Sequence, residues 1–170
     1  MFLNYLKDFF IKKTLKNNLH NVKKEVFTRN IQTIGLLIDE SDFRHSKALI
    51  KELVLNGINS DKIKIVVYRN KFKDKKEYSF PAFGKKHVDW NGSVKTPFLT
   101  EFIETEFDLL ISYYDVQKPV LKLITNQSKA KFKVGFASID KNINRWMINT
   151  ALEDYKLFVF ELFKYLRSIK

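Results

Sequence analysis

Segments 31–38 (IQTIGLLI), 107–114 (FDLLISYY) and 132–138 (FKVGFAS) are short and almost continuously apolar, and 62–69 (KIKIVVYR) alternates. Stretches with apolar residues at three- and four-residue spacing separate them. A strand that is apolar on both sides must be covered on both faces, which only a parallel sheet between two helical layers provides. The chain is therefore expected to be α/β: a three-layer, Rossmann-like domain with a mostly parallel sheet of four or five strands. The fifth strand would be RWMIN at 145–149. With 170 residues and no break in composition, one domain spanning 1–170 is expected, with 1–30 as an N-terminal helical extension.

Local signals place the helices. Residues 2–16 set Leu3, Leu6, Phe9 and Phe10 against Lys7, Asp8, Lys12, Lys13 and Lys16, an amphipathic helix. Asp39-Glu40-Ser41-Asp42 offers N-caps for a helix that carries Phe43, Leu49, Ile50, Leu53 and Val54 on one face and stops at Gly57. Thr96-Pro97 opens another, and a further one begins near Pro119. Thr150 and Glu153 have the spacing of a capping box before a last helix with Leu152, Tyr155, Val159, Leu162, Leu166 and Ile169 in one stripe. Gly35 and Gly135, inside strands, are expected to mark places where a helix approaches closely.

Residues 70–95 interrupt the alternation. Lys71, Lys73, Lys75, Lys76, Lys85 and Lys86 are interleaved there with Phe72, Tyr78, Phe80, Phe83 and Trp90, and Pro81, Gly84 and Asn91-Gly92 are turn residues. An inserted extended segment or hairpin is expected.

Composition removes whole classes of chemistry. The absence of Cys excludes thiolate catalysis, Cys-based zinc sites and a disulfide framework. His20, His45 and His87 share no metal-ligand spacing. There is no glycine-rich phosphate loop and no G-x-S-x-G elbow, and position 41 is Ser where a D-x-D pair starting at Asp39 would need a carboxylate. No catalytic residue, metal or cofactor is assigned, and a non-catalytic protein is expected. The start of the chain has neither a signal-peptide pattern nor a spanning run, so a cytoplasmic location is expected.

The net charge is +12, and it is unevenly spread. Residues 62–95 hold ten basic and three acidic side chains, whereas 96–116 hold five acidic and none basic. Basic groups that neutralise phosphates, set among aromatic rings on which bases stack, are the chemistry of a nucleic-acid surface. The leading expectation is thus RNA or ribosome binding through Lys71, Lys73, Lys75, Lys76, Lys85 and Lys86, with Phe72, Tyr78 and Trp90 as stacking groups. The alternative is a small-molecule or phosphate ligand at the carboxyl ends of the strands, using Asp39, Ser41, Asn70, Asp115 and Asp140. A third is a protein- or membrane-docking module built on helix 2–16.

The strings IGLLIDESDF, PAFGKKHVDWNG, FDLLISYYD, KVGFASIDK and MINTALEDYKLFVFELFKYL resemble, in this order, an uncharacterised bacterial family known as a domain of unknown function. That likeness covers nearly the whole chain and implies no activity. FDLLIS, a helix and a strand ending in VGF are also similar to one half of a heptosyltransferase-type glycosyltransferase, which implies a nucleotide-sugar ligand for the strand-end rim.

Overall fold

The computed structural model describes residues 31–72 and 77–168. The expected helix 2–16 and the extension 1–30 lie outside the described residues, as do Lys73, Lys75 and Lys76.

Among the described residues the chain forms six strands and four α-helices: β1 (Ile34–Asp39), α1 (Ser46–Leu55), β2 (Ile63–Tyr68), β3 (Ala82–Phe83), α2 (Pro97–Glu104), β4 (Leu109–Tyr113), α3 (Pro119–Gln127), β5 (Phe132–Phe136), β6 (Trp146–Ile148) and α4 (Tyr155–Ser168). They make one sheet in the order β3-β2-β1-β4-β5-β6, parallel throughout. Ile34 of β1 pairs with Ile63 on one side and Leu109 on the other. This is the strand order of doubly wound dinucleotide-binding sheets, and the order reverses between β1 and β4.

The expected class is correct and the sheet has one strand more than expected. The extra strand, β3, falls inside the 70–95 segment, where two residues after Pro81 join the edge of β2. Proline is tolerated there because it precedes an edge strand, and its carbonyl accepts from the Val67 N–H at 2.9 Å. The Asn91-Gly92 turn also forms, with Gly92 at φ 83° and Val88 bridging Val94 antiparallel.

Alternation along the strands sorts the two faces. Tyr113 and Phe136 pack on Phe158, and Trp146 stacks on Tyr165, so α4 covers one face with α1 beside it. Lys64 reaches Glu101 of α2, and Ser112 bonds Thr125 of α3, so α2 and α3 cover the other. A Cβ on Gly35 would lie 2.6 Å from the Phe107 ring, and one on Gly135 would lie 2.4 Å from the Asn144 amide. Close approach is indeed the reason for both glycines, although side chains from connecting segments, not helices, make it.

Two capping expectations fail. The α1 helix starts at Ser46 after His45, and Asp39 Oδ1 instead accepts the Ser41 N–H at 2.9 Å. Thr150 and Glu153 do not form a box: α4 starts at Tyr155, Asp154 Oδ1 accepts from Leu157 N–H at 3.4 Å, and the Thr150 hydroxyl is buried without a hydrogen bond.

At the amino end of the sheet Asp108 ties three strands together. Its carboxylate accepts from the N–H groups of Gln32 and Thr33, the Thr33 hydroxyl and Lys131 Nζ, all within 3.1 Å. Burial alone would push its pKa up, but the Lys131 ammonium and these donors outweigh it and lower it to about 2. The folded pKa lies below the unfolded one, so the stabilisation is present above the ordinary value of 3.8 and disappears as pH falls towards 2. Asp108→Asn should therefore lower stability by about 2 kcal/mol at neutral pH in urea unfolding, with the deficit closing below about pH 4. Equal stability of parent and variant at pH 7 would refute this role.

Candidate functional site: the strand-end rim and the cationic edge

The carboxyl end of β1 lies at the point where strand order reverses, the place where open α/β sheets bind ligands. Asp39 ends this strand and is 1% exposed. Its Oδ2 receives Lys118, the residue before α3, which donates also to Asp42 Oδ2 at 2.8 Å. Lys118 thus bridges the crevice between β1 and β4, with its ammonium 5.4 Å from the centre of the Tyr68 ring. Burial pushes the Asp39 carboxyl above its ordinary range, and Lys118 only partly offsets this. For Lys118 burial works in the opposite sense, and hydrogen bonds to Asp39 and Asp42 overcome it to raise the ammonium's pKa.

The neighbouring positions are wired in the same way. Arg69, just past β2, pairs with Glu40, whose other oxygen accepts from Ser46 Oγ at 2.8 Å. The Asn70 N–H donates to Ser41 Oγ at 2.9 Å. Further along, Asp140 accepts from Lys122 at 2.6 Å and from the Asn142 N–H, and its own N–H donates to Gln117. The Asp115 carbonyl accepts from Ser138 Oγ at 2.8 Å. The five rim residues expected from the sequence therefore fall into two groups, Asp39, Ser41 and Asn70 beside β1 and β2, and Asp115 and Asp140 beside β4 and β5. Among the described residues no group of three or more His, Asp or Glu side chains could hold a metal ion.

Glu40 and Arg69 follow the strands as the sequence indicated, whereas Lys118 and Asp42 were not among the expected rim residues. Lys118 could have been found by reading each connection up to its helix start, since Pro119 marks that start.

The Lys/aromatic segment forms a second feature at the same end of the sheet, on its β3 edge. Phe72 is edge-on to Tyr78 at 5.9 Å and to His87 at 5.6 Å. The Arg69 guanidinium lies 4.3 Å from the centre of the Tyr78 ring, and the Lys86 ammonium lies 4.5 Å from that of Phe72. Gly84 lets the Phe72 ring approach, since a Cβ there would be 2.9 Å from it. Lys71 and Lys86 are exposed and Lys85 is half-buried. The connection carrying Lys73, Lys75 and Lys76 leaves this edge at Phe72 and re-enters it at Glu77. Trp90 stands apart, on the 88–94 hairpin, where the Gly92 carbonyl accepts from Gln127 at the end of α3.

These features define a parallel three-layer α/β protein whose strand-end rim is spanned by carboxylate–cation pairs and flanked by a lysine-rich edge. Residues 7–169 match the model of a family of unknown function, DUF6913, and the chain belongs to that family. No curated protein and no solved structure matches the chain.

Removing Lys118 would leave Asp39 buried without its cation, which costs about 3–5 kcal/mol for a buried pair. The Asp39 pKa would then rise further, and a raised folded pKa means stability is greatest in acid and falls as pH rises through it. Lys118→Met should therefore be strongly destabilised at neutral pH and recover part of the loss on acidification. Thermal melts across that range test it, and a pH-independent deficit would disprove it.

Proposed function

We propose that this protein binds a polyanion, RNA or an RNA-rich particle such as the ribosome, through the β2–β3 edge, in a cytoplasmic setting. The observation that supports this is the placement of Arg69 over Tyr78 and Lys86 over Phe72 in the Phe72–Tyr78–His87 cluster, with Lys71 and Lys85 next to Phe72 and Lys86 in the chain. Ring faces hold Arg69 and Lys86 in place, so less side-chain entropy is lost when a phosphate arrives. In this reading Phe72 and Tyr78 orient cations rather than stack on bases. Lys73, Lys75 and Lys76 would add charge to the same edge, and Trp90 would serve as a separate stacking ring.

Fluorescence anisotropy with single-stranded RNA is the test. Four phosphate contacts predict a slope near −3 for log affinity against log salt, since each contributes about −0.7 on a single strand. The double variant Lys71→Glu/Lys86→Glu should bind more weakly at every salt concentration and with a shallower slope. Absence of binding at about 50 mM salt would end this reading.

A second reading is favoured by the position of Asp39 at the strand-order reversal. A nucleotide-sugar or another phosphate-bearing ligand would enter between β1 and β4 and exchange partners with Lys118. A ligand at about 100 times its dissociation constant adds about 2.7 kcal/mol of stability, so thermal shift with nucleotides and sugar nucleotides would register it. The reading predicts an upward shift that Asp39→Asn alters, and no shift with any compound counts against it.

A further inference from the structure

The helices α1 and α4 pack side by side on the face of the sheet opposite α2 and α3, tied near their first turns by Phe43 against Tyr155 at 6.3 Å and His45 near Glu153 at 3.8 Å. On α1 the outward line runs Lys47, Lys51, Val54 and Leu55, with Arg44 just before the helix, all exposed. On α4 it runs Lys156, Leu157, Phe160, Lys164 and Arg167, also all exposed. Neither line contains a carboxylate. Glu52 and Glu161 are half-buried at its flanks, and Glu161 lies 3.5 Å from Lys164. Two exposed carboxylates, Glu153 and Asp154, lie just before α4, with Glu153 beside His45.

The apolar members are large and open to solvent. Leu55 is 69% exposed and Phe160 60%, with Leu157 and Val54 also exposed. Of the six exposed large hydrophobic residues among the described ones, these four lie here, and Trp90 and Val116 lie elsewhere. Solvent-facing helix positions are ordinarily a mix of both charges and polar groups, so helical lines that carry only cations and large apolar side chains mark a contact surface.

We propose that the α1–α4 face docks on the surface of an anionic lipid bilayer. Phosphates of the headgroups would meet Arg44, Lys47, Lys51, Lys156, Lys164 and Arg167, while Val54, Leu55, Leu157 and Phe160 enter the acyl boundary. The long Lys and Arg stems suit this, since they cover apolar surface and keep their charge at headgroup level. RNA would use the cations and gain nothing from Leu55 or Phe160. An apolar protein partner would bury those residues and leave the lysines without counter-charge. The attachment is peripheral: among the described residues no helix is long and apolar enough to cross a membrane. This face is distinct from the β2–β3 edge, and the proposal does not rest on RNA binding.

Flotation of the full chain with vesicles tests it, using phosphatidylcholine alone and phosphatidylcholine mixed with phosphatidylglycerol. The chain should float only with the anionic vesicles, and less at high salt. Lys47→Glu/Lys51→Glu should weaken binding by at least about fivefold per lysine. Leu55→Ser/Phe160→Ser should remove most of it while leaving thermal stability and RNA affinity unchanged, since both side chains face solvent. The proposal is overturned if the parent fails to float with anionic vesicles or floats equally with neutral ones. It is overturned too if both double variants float like the parent, because another part of the chain would then make the contact.

Discussion

Strand β1 has hydrogen-bonded neighbours on both edges and helical layers on both faces, and every one of its six residues is buried. Five of them, Ile34 to Ile38, satisfy this by being apolar or glycine. The sixth, Asp39, does not, and a carboxyl at 1% exposure must protonate, find a cation or unfold its surroundings. The chain supplies Lys118 from the far side of the strand-order reversal, and Asp42 holds the ammonium from its other side. The rim is therefore built outward from a single buried charge. At the opposite end of the sheet Asp108 has a different environment, with backbone donors and Lys131 holding it ionised in a partly open position. Two aspartates thus join the central strands, one whose burial is only partly offset by a lysine and one whose hydrogen bonds more than offset it.

The fold also decides which lysines are available to partners. The acidic block 96–116 does not stay a separate negative surface: Glu101, Glu104 and Asp108 pair with Lys64, Lys129 and Lys131. Along the rim Lys118, Lys122 and Arg69 are likewise taken up by carboxylates of the chain. Lys133 donates to the Thr125 and Asn126 carbonyls at the end of α3, a favourable place for a cation near the negative pole of the helix dipole. Among the described residues, Lys71 and Lys86 on the β3 edge and Lys47, Lys51, Lys156 and Lys164 on α1 and α4 are exposed. The acidic block of the sequence is therefore neutralised within the fold, by lysines from β2 and from the residues before β5.

The layered architecture was readable because burial on both faces leaves a direct mark, as in the runs around Leu37 and Leu110. The short strand β3 left no such mark: two residues after a proline have no period to detect. Local signals misled where a distant partner competed for the same group. Asp39 and Thr150 both occupy plausible cap positions, yet Asp39 is claimed by a lysine 79 residues away and Thr150 is passed over for Asp154. Propensity rules weigh neighbours in sequence, and a buried charge is governed by neighbours in space. For the candidate site, the residue types at strand ends were legible. The pairing of Asp39 with Lys118 was not, because Pro119 marks where Lys118 lies but nothing local says which carboxylate it meets.

The lysine–aromatic alternation at 71–90 joined two physical roles that the fold separates. Phe72 fits against Gly84 and meets Tyr78 and His87 edge-on, which spends ring surface on packing and leaves little of it for a stacked base. Over the remaining ring faces sit Arg69 and Lys86. Arg69 does more than cover Tyr78: through Glu40 and Ser46 it is connected to the segment that follows β1. A phosphate drawn to the edge would compete with Glu40 for this guanidinium. Arg69 thus joins the edge to the rim through one side chain.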